Sequence, residues 1–320
     1  MMSDRTMSRR QALAAGLSGV VAAGLSQANG AEGAAKAGGR APAPFRFCLN
    51  TGTIRGKKLP FDQEVEVAAK AGYEAIEPWI DNIASFVKGG GSLKDLKKKI
   101  ADLGLTVEDG IGFPSWIVDD DARRAQGLEQ MKRDMATLAE IGGKRIAAPP
   151  AGANNTPGLD LKKAAERYRA VLDLGDQMGV VPQLEMWGAS KNLSRLSEGA
   201  FVAIESGHPK ACLLADVFHI YRSGADFNGL RLMSNRMIQV FHMNDYPADP
   251  PREKARDSDR VFPGDGVAPL SQIVRDLADN GGGQVLSLEL FNPTYWQKDA
   301  LEVARTGLEK MKAAVAKALG

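Results

Sequence analysis

Short apolar runs alternate with stretches of helical periodicity from Phe45 to the end of the chain. Such alternation is typical of repeated βα units, which build a parallel sheet covered by helices. Strands are predicted at 45–49, 73–77, 106–111, 145–148, 180–185, 211–216, 238–242 and 284–289. Helices are predicted at 62–71, 93–103, 122–141, 161–178, 193–205, 270–277 and 301–319, with a short one near Leu230. Eight units predict one α/β domain over 45–320, a (β/α)8 TIM barrel with its active site at the carboxyl ends of the strands.

An open, doubly wound sheet is the alternative architecture for this pattern. It would require a glycine-rich, phosphate-binding turn after the first strand. The sequence Asn50-Thr51-Gly52-Thr53 at that place is a weak match, so the barrel is favoured.

The first 28 residues have the pattern of an export signal. Arg9 and Arg10 precede a modest Ala/Gly/Leu run that is too short, and too rich in alanine and glycine, to span a bilayer stably. We interpret 1–28 as a twin-arginine-type signal peptide, with a general secretory signal as the alternative. Residues 29–44, rich in Ala, Gly and Pro, are interpreted as a disordered linker. The expected location is the periplasm, with no membrane attachment in the mature protein.

Composition and charge exclude few functions. Among 320 residues, 44% are hydrophobic and 25% are charged, as in ordinary globular proteins. The formal net charge is only +2, so electrostatics indicate no nucleic-acid partner. Cys48 and Cys212 fall in strands one and six. Because those strands are not neighbours in a closed barrel, the two cysteines are expected to be buried free thiols.

Residues with metal-ligating side chains stand at the ends of the last four predicted strands. They are Glu185, Asp216, His242 and Glu289. The carboxyl ends of barrel strands meet at one mouth, so residues far apart in the sequence can converge there. Three carboxylates and one imidazole suit one divalent cation, and Mn, Mg, Co and Zn all stay open. For any one of these residues, a solvated charge at the start of a loop is the alternative.

Further candidates surround these strand ends. The chain has three histidines; His242 is the predicted ligand, and His208, in a turn at the opposite face, is predicted to have no functional role. His219 is predicted to bind a substrate oxygen or to orient a carboxylate, with ordinary packing as the alternative. Glu77, at the end of strand two, is predicted to line the mouth and bind substrate. Trp187 follows strand five, where its ring could pack on a sugar.

Several of these motifs together resemble the xylose isomerase-like TIM barrel superfamily of sugar isomerases and epimerases. They are the four strand-end ligands, the pair Asp216-x-x-His219, the segment His242-Met-Asn-Asp245 and the turn Pro263-Gly264-Asp265-Gly266. The order Glu, Asp, His, Glu is the most specific of them. The resemblance covers the chain from about Phe45 onward and departs at Asn244, where many relatives carry lysine.

The resemblance implies an activity and a mechanism. Glu185 and Glu289 would form an acid–base pair, in which one carboxylate removes a proton beside a carbonyl and the other returns it on the opposite face. The metal would polarise the substrate carbonyl and hydroxyl, and Arg260 would reach substrate oxygens. The implied enzyme is a metal-dependent isomerase or epimerase of a sugar or keto-sugar. Export favours a substrate without phosphate.

Two other functions stay open. The same carboxylates could drive β-elimination or hydration, which makes a keto-sugar lyase or hydratase the alternative. A non-catalytic sugar-binding barrel is the third possibility. An endonuclease of the superfamily's DNA-repair branch is disfavoured, because its multi-zinc site needs more histidines than the three present. The sequence carries no indication of an oligomeric state.

Overall fold

A computed structural model describes residues 45–320, which form eight parallel strands in a TIM-barrel fold with helices around them. The predicted signal peptide and linker, 1–28 and 29–44, lie outside the described residues. The strands are β1 (Arg46–Asn50), β2 (Ala75–Glu77), β3 (Thr106–Val107), β4 (Arg145–Ala148), β5 (Val181–Glu185), β6 (Leu213–Asp216), β7 (Ile238–Met243) and β8 (Val285–Leu288).

Ten α-helices and several 3-10 turns are found in the same part of the chain. The helices are α1 (Phe61–Ala71), α2 (Ile80–Lys88), α3 (Leu93–Asp102), α4 (Asp121–Glu140), α5 (Leu161–Met178), α6 (Leu196–Glu205), α7 (Val217–Ser223), α8 (Leu270–Asp279), α9 (Pro293–Trp296) and α10 (Ala300–Leu319). Within residues 45–320, no helix combines the length and the apolar character needed to cross a bilayer.

The strands are hydrogen-bonded in the order β3-β2-β1-β8-β7-β6-β5-β4. The two ends of this order, β3 and β4, approach each other, since Ala147 N–H donates to the carbonyl of Gly110 just after β3 (2.9 Å). β3 itself is shorter than the predicted 106–111. Beyond it the chain continues to Ile111, which forms an isolated parallel bridge with Trp79.

Local sequence explains where the helices begin and end. The carboxylate of Asp160 accepts the backbone N–H groups of Lys162 and Lys163 and starts α5, and Gly179, with φ 71°, ends it. The buried Tyr168 of α5 places its hydroxyl 2.9 Å from the carbonyls of both Pro182 and Cys212, at β5 and just before β6. Helix α5 is therefore fixed to the two strands whose far ends carry predicted ligands.

The barrel interior is filled by small and medium side chains, as a packed core requires. One cluster inside the sheet contains Cys48, Ala75, Ala147, Leu214, Val240 and Val285. A larger cluster lies between the sheet and the helices. Cys48 and Cys212 are both buried and free, which confirms the prediction of two unpaired thiols.

Candidate active site

The ends of β6, β7 and β8 bring Asp216, His242 and Glu289 together. One ligand atom of each lies within 4.8 Å of the others, and all three residues are buried. Asp216 ends β6 and pairs in register with His242 on β7, and Glu289 directly follows β8. The shared carboxyl edge of the parallel strands therefore produces a compact group of two carboxylates and one imidazole.

Glu77 determines which nitrogen of His242 faces this group. His242 Nε2 lies 2.9 Å from Glu77 Oε1. His242 Nδ1 points the other way, 3.1 Å from Glu289 Oε2 and 3.7 Å from Asp216 Oδ2. The carboxylate of Glu77 thus holds a proton on Nε2 and presents Nδ1 to the cluster, the arrangement by which carboxylates orient metal-binding histidines.

Glu77 lies beneath the cluster rather than at the mouth where we predicted it to contact substrate. It is fully buried and accepts hydrogen bonds from Asn50 Nδ2 (2.9 Å) and Ser287 Oγ (2.5 Å). Burial alone would raise the pKa of Glu77, but the charge of His242 and its hydrogen bond outweigh burial and lower that pKa. The adjacent Asp109 has its pKa raised well above normal by burial and by the charge of Glu77. Asp109 is therefore a neutral acid beside an ionised one.

The three clustered side chains fit a divalent metal. Among residues 45–320, the buried His242 Nδ1 makes no hydrogen bond of good geometry, although the carboxylate oxygens of Glu289 and Asp216 lie 3.1 and 3.7 Å away. Carboxylate oxygens with one imidazole nitrogen form a donor set suited to Zn, Mn, Co or Mg. Asp216, His242 and Glu289 would hold the ion, and Glu185 is the candidate fourth ligand.

Glu185 stands beside the cluster and not within it. It ends β5 and lines the same cavity as Glu289. Its Oε2 atom is buried and lacks a hydrogen-bond partner in the part of the chain that the structure describes. Burial, together with the charge of Glu289, raises the pKa of Glu185 to about 8. This carboxyl can therefore carry a proton near neutral pH.

Arg260 supplies the positive charge that balances the cluster. Its guanidinium is fully buried, and one terminal nitrogen donates to Asp216 Oδ2 (2.8 Å) and Glu289 Oε2 (2.7 Å). The other terminal nitrogen lies 2.5 Å from Asp257 Oδ1 and 3.3 Å from His219 Nε2. Burial alone would raise the pKa of Glu289, but His242 and Arg260 lower it, so this carboxylate is ionised.

His219 lies in α7, the short helix that follows β6. Its backbone N–H donates to Asp216 Oδ1 (2.8 Å), so Asp216 caps the helix with one oxygen while its other oxygen faces the cluster. Burial lowers the pKa of His219, so its ring is neutral. The imidazole lines the cavity, where it can donate to or accept from a substrate oxygen.

Asp245 anchors the long loop that carries Arg260. Its carboxylate accepts the backbone N–H groups of Tyr246 (2.8 Å), Gly264 (3.0 Å), Gly266 (3.1 Å) and Ala268 (2.9 Å). A Cβ on Gly266 would meet the carbonyl oxygen of Tyr246 at 2.2 Å, so this turn requires glycine. The Pro-Gly-Asp-Gly motif therefore serves as a set of backbone donors for Asp245.

The cluster opens into a cavity of about 540 Å³. Trp187, predicted to contact substrate, is partly exposed in its wall, together with Glu185, His219, Arg260 and Glu289. His208, predicted to have no functional role, lies elsewhere, with its Nε2 3.2 Å from Asp176 Oδ2.

Some residues of the site were not singled out from the sequence. Asn50 donates to both Glu77 and Glu289. Asn244, noted only as a departure from lysine, donates to Asp216 Oδ2 (3.0 Å) and accepts the N–H of Phe218 (3.0 Å). Asn50 and Asn244 could have been found from the sequence by their positions at the ends of β1 and β7, because every ligand in the cluster also stands at a strand end.

Comparisons with known proteins agree with this geometry. The chain is 27% identical over 282 residues to an inosose isomerase of Bacillus velezensis, an alignment covering 85% of this chain and 98% of that protein. It is 25% identical over 234 residues to the 3-dehydro-D-guloside 4-epimerase of Escherichia coli, covering 67% of this chain and 85% of the epimerase. The curated relatives also include a dehydratase.

A solved structure with the same fold is that of the IolI protein with a bound zinc atom. The two superpose with a TM-score of 0.79 at 23% identity, over 86% of this chain and all of that one. The sequence profile of the xylose isomerase-like TIM barrel family matches residues 65–314. The protein therefore belongs to the xylose isomerase-like TIM barrel family.

Proposed function

We propose that this protein is a divalent-metal-dependent isomerase or epimerase of a sugar or keto-sugar. The observation that carries the proposal is the convergence of Asp216, His242 and Glu289 within 4.8 Å at a cavity that Glu185 also lines. An isomerase and sugar epimerases among the relatives support the same reaction class. Export through the twin-arginine route, by a signal at 1–28, is part of the proposal.

The two glutamates would exchange protons with the carbon beside a carbonyl. Glu289 is held ionised by His242 and Arg260, whereas the pKa of Glu185 is raised to about 8. These pKa directions describe the site without metal, and a bound cation would lower both pKa values. The acid and base roles therefore rest on the place of both carboxyls in the wall of one cavity. A bound divalent ion would polarise the carbonyl oxygen as a Lewis acid. His219 and Arg260, both in the cavity wall, would orient the remaining substrate oxygens.

A keto-sugar dehydratase is the second candidate. The first step, proton removal beside a carbonyl, is the same. In the second step the other carboxyl would protonate the hydroxyl on the next carbon, which would leave as water instead of a proton returning to the first carbon. A dehydratase among the relatives supports this second reaction.

The first test combines metal content with product mass. Purified protein is assayed for bound metal and incubated in D2O with a panel of 2-keto and 3-keto sugars. An epimerase introduces deuterium at the epimerised carbon without net loss of water, whereas a dehydratase gives a product lighter by one water. Full activity of protein stripped of metal by EDTA would contradict the proposal.

A second test uses substitutions. Glu289→Gln should reduce kcat by about 10²- to 10⁴-fold, the range typical of a lost acid or base. Asp216→Asn should lose metal. Glu205→Gln, an exposed glutamate at the end of α6, is the matched control and should retain both metal and turnover.

A further inference from the structure

One side of the cavity is formed by four aromatic rings, which we call the aromatic arc: Trp79, Phe113, Trp187 and Phe291. The Trp79 and Phe113 ring centroids are 5.2 Å apart, those of Trp79 and Phe291 are 5.8 Å apart, and those of Phe113 and Trp187 are 6.0 Å apart. Each ring follows a different strand, so the arc is a continuous surface assembled by the barrel rather than one local motif.

The arc runs from the reacting carboxylates outward. Trp79, Trp187 and Phe291 each stand two residues beyond a buried glutamate at a strand end, Glu77, Glu185 and Glu289 respectively. All three rings are half-buried, and they form the inner part of the arc. Phe113 is 42% exposed and lies beyond them. A sugar ring held at the two glutamates would meet the inner rings, and the face of Phe113 would still be open to another group.

Trp79, which contacts two other rings of the arc, is held by a hydrogen bond and by an arginine. Trp79 Nε1 donates to Asn50 Oδ1 (3.0 Å), and Asn50 in turn donates to Glu289 Oε1 (3.1 Å). The guanidinium carbon of Arg55 lies 4.1 Å from the Trp79 ring centroid, and Arg55 is paired with Asp81 (3.0 Å). A preset aromatic surface costs little conformational entropy on binding.

The cavity lining also carries polar side chains. It includes Asn154, Asn155, Ser190, Arg222 and Arg256. The cavity volume of about 540 Å³ falls within the range of pockets that enclose drug-sized ligands. The cavity therefore offers both polar and aromatic contacts, which suits a molecule that carries hydroxyls and an apolar ring.

We propose that Phe113, the exposed ring of the aromatic arc, is a subsite for an apolar ring attached to the sugar, so that the substrate class is aryl glycosides of a keto-sugar rather than free monosaccharides. The substrate class rests on the proposed function, but binding of the attached ring does not depend on turnover. An exposed aromatic surface continuous with a polar site is typical of a ligand-binding region.

The test compares two glycosides that differ in the attached group alone. Phenyl and methyl β-D-glucopyranoside lack the carbonyl needed for proton exchange, so calorimetric titration of the metal-loaded protein measures binding without reaction. We expect the phenyl glycoside to bind at least about tenfold more tightly. Phe113→Ala should reduce this ratio to near unity, and Phe113→Trp should restore it.

Phe201 provides the matched control. It is another exposed phenylalanine, 36% exposed, on α6, and Phe201→Ala should leave the phenyl-to-methyl ratio unchanged. Equal affinities, or no binding of either glycoside, overturn the subsite. Turnover of the corresponding 3-keto glycosides is measured separately. A phenyl preference in binding without turnover would refute the proposed function and support the subsite. Turnover without a phenyl preference in binding would refute the subsite and support the proposed function.

Discussion

Glu77 fixes the orientation of His242 from below the cluster. Its Oε1 atom lies 2.9 Å from His242 Nε2, and its other oxygen is held by Asn50 and Ser287. Because the imidazole has only two nitrogens, fixing a proton on Nε2 leaves Nδ1 as the nitrogen that would bind a metal ion. Burial alone would lower the pKa of His242, but Glu289 and Glu77 raise it well above normal, so the ion would have to displace the Nδ1 proton. A residue that touches neither the cavity wall nor the metal position thus decides whether His242 can act as a ligand.

Glu77→Gln tests this dependence. The amide retains the shape of the side chain but removes the charge that holds the Nε2 proton, so metal affinity should fall by about 10- to 100-fold. Competition against a chromophoric chelator measures the change. The exposed Glu205→Gln variant should bind metal as the unaltered protein does. An unchanged affinity in Glu77→Gln would show that Asn50 and Ser287 suffice to orient the site.

At the scale of single residues, site residues can be predicted from the sequence when they stand at strand ends. Asp216, His242 and Glu289 were all chosen on that ground, and the structure brings them together. Asp109 illustrates what cannot be predicted. The pKa of its carboxyl is raised by burial and by the neighbouring Glu77 inside the barrel. The spacing of residues along the sequence does not indicate which interior side chains of different strands lie side by side.

At the scale of elements, the carboxylate of Asp245 is a central anchor of the segment that follows β7. Asp245 replaces the regular hydrogen bonds that a helix or strand would provide, because its two oxygens accept four backbone N–H groups. The backbone groups of Asp245 also pair with those of Val261 in both directions (3.0 and 2.9 Å). Arg260, the residue before Val261, is thereby aimed into the cluster.

Asp245→Ala should release this segment. Loss of a buried acceptor leaves its donors unpaired, at a cost of about 1–3 kcal/mol for each group that finds no water. We expect a lower Tm and faster tryptic cleavage after Arg252, Lys254 or Arg256, read by mass spectrometry. Asp265→Ala, in the same turn but with an exposed carboxyl, should be cleaved at the original rate. Equal cleavage of both variants would mean that the anchor lies elsewhere.

Element prediction succeeded where periodicity was strong. The predicted spans 145–148 and 161–178 coincide with β4 and α5. Helices α2 and α7 and the four-residue helix α9 were not predicted. In α2 Ile83 alone is buried, so the apolar repeat is faint, and α7 directly follows β6 and has four consecutive buried residues, Val217–Ile220, which hides helical periodicity.

At the scale of the whole molecule, metal binding and folding should be coupled. Asp216, His242 and Glu289 come from three strands, so an unfolded chain offers no comparable site. A ligand present at 100 times its Kd stabilises the native state by about 2.7 kcal/mol. Calorimetry should therefore show a Tm that rises by several degrees on adding Zn or Mn and returns with EDTA.

Asp216→Asn is the variant that checks this coupling, since it should abolish most of the metal-induced shift. Asp226→Asn, an exposed aspartate at the start of a 3-10 turn, is the control and should keep the shift. A Tm that does not respond to metal in the unaltered protein would argue against a metal site at this cluster.

The anchor at Asp245 also allows the loop that follows β7 to evolve independently of the cluster of Asp216, His242 and Glu289. His242 and Asp245 are three residues apart on one strand end, and the first faces the cluster while the second fixes the returning chain at Val261 and Gly264. Residues 247–254 between these points are exposed or half-buried, so we expect changes in their length or sequence to leave both ends in place. A barrel built this way can acquire a new substrate preference by insertion into that segment, and its proton-transfer machinery does not have to be rebuilt.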